Sequence, residues 1–290
     1  MRKTTLILLA CALLATASVR ADHYADTYVI PAVGHVQGAN GATWMSDLSI
    51  RNFSASPLTV QLIVIESGFD TADNVYPLMS DADDDGTITV VPGGTVQLRD
   101  VMRNHRGRTN NLGALIVGAN APFAVTSRAY SNTMTLGQTV PATRDFLDNS
   151  FGTADNTATA YIPGIVSNAG ARTNVGFVAG SAGSSSQMTV EISVRNGAGG
   201  VVGTRSVTIP AGRYAHMQFP VASFAQGQFD IGSADFRITE GEGVVVPYAS
   251  VIDNTTREAT YLMGVFPETG APQSLRGNVF QSLFTGGSFR

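Results

Sequence analysis

Two stretches 130 residues apart carry one pattern: LTVQLIV at 58–64 and MTVEISV at 188–194. Three further pairs follow in the same order. YVIPAV at 28–33 answers YIPGIV at 161–166, TVVPGG at 89–94 answers VTIPAG at 207–212, and VTSRAYSNT at 125–133 answers PYASVIDNT at 247–255. Matches that keep their order describe one unit present twice, because each copy must fold by the same rules as the other. Their offsets, 118 to 133 residues, give each copy the size at which a single sandwich buries its own core.

Within each copy the pattern is that of strands. Leu58, Val60, Leu62 and Val64 alternate with other residues, the period-2 signature of a half-buried strand. Similar runs occupy 44–50, 87–91, 115–117, 124–130, 205–209 and 243–248, with Gly and Pro between them and no long helical spacing. The expected class is all-β, as two tandem β-sandwich domains. The first would span 22–142, a linker 143–158, the second 159–267 and a polar, Gly-rich tail 268–290.

Residues 1–21, MRKTTLILLACALLATASVRA, read as a secretory signal peptide: a basic start, an apolar run and a small-residue exit. Cleavage is expected after Ala21, with Ala17 the alternative. A lipoprotein reading of LLAC at 8–11 competes, but the apolar run continues past Cys11. Cys11 is the only cysteine and Lys3 the only lysine, so a chain starting at Asp22 has neither disulfides nor lysine isopeptide crosslinks. Its formal charge moves from -4 to -7 with the loss of Arg2, Lys3 and Arg20. That balance disfavours nucleic acid and anionic membrane as partners. The run is also short for a bilayer span, which needs about 20 apolar residues.

The segment IPAVGHVQGANGATWMSDLSIRNFSASPLTVQL, with VPGGTVQLRDV and VTSRAYSN after it, resembles a tandem β-sandwich module of secreted proteins from environmental bacteria, often appended to larger extracellular proteins. The second copy departs by replacing GANGATW with NAGART. The resemblance implies an immunoglobulin-like fold and an extracellular setting, and brings no catalytic or binding residues with it.

The two copies control for each other. Val64 to Val90 is 26 residues, whereas the equivalent Val194 to Thr208 is 14, and the excess holds DADDDG at 81–86. The second copy makes the connection with NGAGG at 196–200, so the fold does not require the acids. Asp81, Asp83, Asp85 and Gly86 reproduce the first half of a calcium loop, in which alternate oxygens turn toward one ion and glycine permits the bend; Thr87 would add its carbonyl. The pattern fails at the bidentate glutamate position, which is Pro92, leaving Glu66, Asp70 or Asp73 to complete the set. A hydrated surface loop is the competing reading.

Opposite in sign, DVMRNHRGRTNN places Arg103, His105, Arg106 and Arg108 just after Arg99. Arg103 and Arg106 are candidate contacts for an anionic glycan, or members of a solvated connection. Trp44, the only tryptophan, is a candidate sugar-stacking residue; in phase with Leu48 and Ile50, it is also a candidate core anchor. His216 aligns with Leu98 and reads as a satisfied, semi-buried residue. Nucleophile elbows, zinc spacings and phosphate loops are absent from the sequence, and Asp47 would need a distant partner to form a carboxylate pair. FPETG at 266–270 resembles a sortase signal, but the residues after it are too polar for the membrane segment such a signal requires. The expectation is a secreted, non-enzymatic protein that contacts an extracellular protein or glycan at a surface or in a matrix. The alternative is a calcium-assisted carbohydrate-binding protein.

Overall fold

A computed structural model describes residues 26–38, 41–68, 74–78, 87–132, 137–143, 147–148, 159–181 and 187–266. The signal segment, DADDDG and the tail lie outside them. The protein is all-β.

In the first half, β1 (Asp26–Gln37), β2 (Thr43–Asn52), β3 (Leu58–Glu66), β4 (Val75–Pro77), β5 (Thr87–Val90), β6 (Thr95–Leu98), β7 (Asn111–Ala119), β8 (Phe123–Ser131) and β9 (Gln138–Val140) form one sheet of nine strands. It folds over itself because β1 serves both layers. Asp26 to His35 pair with β7, and His35 to Gln37 pair with β2, with a register break between Ile30 and Val33. Pro31 falls in that break, where its missing N–H costs no ladder bond. The layers are thus β5-β3-β7-β1 and β6-β2-β8-β9.

After the two-residue β10 (Leu147–Asp148) come β11 (Thr159–Ser167), β12 (Ala171–Ser181), β13 (Met188–Asn196), β14 (Val201–Ile209), β15 (Tyr214–Pro220), β16 (Phe229–Glu240), β17 (Gly243–Asp253) and β18 (Ala259–Met263). They pair as β14-β13-β16-β11 and β15-β12-β17-β18. This is the order of the first half, strand for strand, so the repeated sequence specifies a repeated topology. β10, within the segment read as linker, adds to the second half by pairing Leu147 with Val245.

Each half buries its own cluster. Leu48, Ile50, Leu58, Val60, Leu62, Leu115 and Val117 meet in the first; Val175, Phe177, Val190, Ile192, Phe236 and Ile238 meet in the second. A third cluster joins the halves: Val29, Ile63, Ile65, Ala114 and Ile116 on the outer face of β1, β3 and β7 pack against Val178, Val244 and Val246 of β12 and β17. All eight are 0–1% exposed. β17 is consequently buried on both faces, Val245 and Ala249 facing its own core while Val244, Val246 and Tyr248 face the first half. Its unbroken apolar run VVVPYA is what a doubly covered strand requires. Among the described residues no helix is long and apolar enough to cross a membrane.

Candidate functional site: a cleft where the halves meet

The candidate ligands on the acidic loop, Asp81, Asp83 and Asp85, lie outside the described residues. Thr87 opens β5, opposite Gln61 of β3. The basic cluster forms a short helix, α1 (Val101–Arg106), anchored by buried Val101 and Met102. Gly107 stops it: at φ 62° its N–H bonds to the Arg103 carbonyl at 2.9 Å, and the Arg108 N–H bonds to the Met102 carbonyl at 3.1 Å. The bond from Gly107 to Arg103 is that of an αL cap, whose left-handed residue favours glycine. Arg103 is exposed on α1, Arg106 ends it, and the Arg108 guanidinium is 3.6 Å from Glu66. Of the basic residues, Arg108 thus reaches the end of β3.

Sequence reading singled out Asp47 but not its surroundings. Asp47 is 4% exposed; one carboxylate oxygen accepts the Asp100 N–H at 2.9 Å and the other accepts Arg128 Nη2 at 2.8 Å. Asp100, itself buried and left-handed at φ 45°, holds His35 Nδ1 at 2.9 Å from both its oxygens. The Tyr130 phenol is pushed up to about 12 by burial and then by its hydrogen bond to Asp47. Both carboxylates are occupied by protein donors, so the arrangement ties β1, β2 and β8 to the start of α1. An open face of about 290 Å³ lies over this network, and one of about 430 Å³ lies over Tyr161, Arg195, Asp235 and Arg237 in the second half.

Trp44 is half-buried and outside the core cluster. It keeps the inward phase of Leu48 and Ile50 but sits nearer the start of β2, where the neighbours are strands of the other half. There it lines a cleft of about 100 Å³. The first half contributes Trp44, Met45 and Leu112; the second contributes Asn174, Gln218, Ser250 and Tyr261. Sequence alone could not find this site, because it exists only where two repeats meet.

The joint beside the cleft is held by His216, which is 0% exposed. Its Nδ1 is 2.7 Å from the Ser67 hydroxyl of the first half and its Nε2 is 2.7 Å from the Tyr248 hydroxyl. Burial pulls its pKa down to about 4, against a smaller opposing effect of a hydrogen bond to the Pro31 carbonyl. The ring is therefore neutral at pH 7, one nitrogen donating and the other accepting. The Gly68 N–H also bonds to the His216 carbonyl at 2.9 Å, so β3 and β15 are joined by backbone as well. Comparison with family models and with curated proteins finds no match for the chain.

Proposed function

We propose that the protein is a secreted, non-enzymatic interaction module, two immunoglobulin-like sandwiches in tandem, that binds an extracellular protein or glycan at a surface or in a matrix. The observation that carries this reading is the apolar seam of Val29, Ile63, Ile65, Ala114 and Ile116 against Val178, Val244 and Val246. A seam this buried fixes two sandwiches in one orientation. Fixed modules present a pre-organised surface, which lowers the entropy cost of binding. The signal-like first segment and the cysteine-free remainder fit an exported chain stabilised by its core. The test is an array of extracellular glycans and matrix proteins probed with residues 22–290. Saturable binding without turnover is expected; cleavage of an arrayed glycan, or no binding to any member, would overturn the reading.

Calcium-assisted carbohydrate binding is the second reading, favoured by Trp44 and Tyr261 in one cleft. Its calcium component belongs to Asp81, Asp83, Asp85 and Thr87. A cation bound only by the native chain raises the melting midpoint by mass action. The reading expects a higher midpoint in millimolar calcium than in chelator, lost when the three aspartates become Asn. Equal midpoints would remove calcium from it.

A further inference from the structure

We propose that the cleft between the halves receives the acetamido group of an uncharged N-acetylated sugar. This assignment rests on the interaction-module reading and names the ligand class of one site within it.

Size comes first. About 100 Å³ is two-thirds of the ~150 Å³ of a cavity that holds benzene, a ligand of six heavy atoms. That is room for a group of four heavy atoms, and too little for a whole sugar ring. Chemistry narrows the group further. Among the described residues no charged side chain lines the cleft, so an ammonium or carboxylate entering it would be desolvated without a partner. The polar lining consists of side-chain amides, Asn174 and Gln218, and hydroxyls that include Ser250, which is 3% exposed. Among the described residues none hydrogen-bonds those two amides or the Ser250 hydroxyl. An acetamido group matches this inventory: its carbonyl accepts from an amide NH2, its N–H donates to an amide or hydroxyl oxygen, and its methyl packs on apolar lining such as Ile252 and Ala129.

The aromatic residues decide between an acetylated sugar and other acetylated groups. Trp44 is half-buried and lines the cleft, so its indole is placed for the apolar face of a ring that stays outside, while Tyr261, whose phenol burial pushes up to about 12, lines the same cleft and packs against the first core. Gly38 helps set the indole, since a Cβ there would stand 2.6 Å from Trp44 Nε1. The lining comes from both repeats, so the site is a product of the tandem arrangement.

Because Trp44 is the only tryptophan, its emission reports on this cleft alone. Residues 22–290 would be titrated with the disaccharide of N-acetylglucosamine and, separately, with those of glucosamine and glucose. The expected result is a saturable emission change with the acetylated sugar only. Asn174→Ala and Gln218→Ala keep Trp44 and should each weaken it about tenfold, the scale of one lost hydrogen bond, with unchanged melting midpoints. No saturable change, or an equal response to unacetylated sugars, would overturn the assignment. If array binding survives in both variants at parental strength, the cleft assignment falls and the interaction reading stands; a blank array removes both.

Discussion

His216 shows how a single side chain ties the repeats together. The repeat alignment puts it at the position of Leu98, yet the two point in opposite directions. Leu98 pairs with Leu48 and faces the first core, whereas on β15 Ala215 and Phe219 face the second core and His216 faces Ser67. A one-residue shift moves a side chain to the other face of a strand, and pattern matching does not detect it. The folded pKa, about 4, lies below the ordinary 6.5, so the unfolded chain takes up a proton that the native ring refuses. His216's contribution is complete above pH 6.5 and is lost as pH falls toward 4, by on the order of 3 kcal/mol. Burial lowers His105 as well, so the parent's pH profile alone does not isolate the residue. Denaturant unfolding of the parent and His216→Gln from pH 7.5 to 4.5 separates them. The stability gap between the two should narrow as pH falls; a gap independent of pH would contradict a neutral, buried His216.

At the scale of elements, β3 was read correctly along one face only. Leu58, Val60, Leu62 and Val64 line the core as their alternation implied, but the opposite face changes from Thr59 and Gln61 to Ile63 and Ile65. That change of composition marks where the second half docks, and it is visible in LTVQLIVI once a covering partner is considered. β17 carried the matching signal in VVVPYA. β12 was not legible as a strand because Gly176 and Gly180 interrupt it, and glycine weakens a strand taken alone. In the fold Gly176 is required: a Cβ there would meet the Met217 carbonyl at 2.5 Å and the Tyr248 ring at 2.8 Å. Gly176→Ala should therefore cost about 1–3 kcal/mol by overpacking. Ile65→Ala, at 0% exposure on the seam, should cost about 2–5 kcal/mol, against about 0.5 for Thr59→Ala on the same face of the strand. Chemical denaturation measures all three, and equal costs for Ile65→Ala and Thr59→Ala would mean that the seam is not packed.

The whole molecule behaves, on this geometry, as one body made of two repeats. All-β class and duplication were legible because strand alternation and ordered repetition are local properties of the sequence. The seam, the cleft and the Asp47–Asp100 network were not, since each depends on residues far apart in the chain: Ser67 meets His216 across 149 positions. One exposed residue in each half allows the joint to be measured directly. Residues 22–290 contain no cysteine, so Phe53→Cys and Val201→Cys, at positions 65% and 52% exposed, can be spin-labelled as a pair. A single narrow distance distribution between the labels, broadened by an added Ile63→Asp in the seam, is the predicted result. A broad distribution that Ile63→Asp leaves unchanged would contradict it.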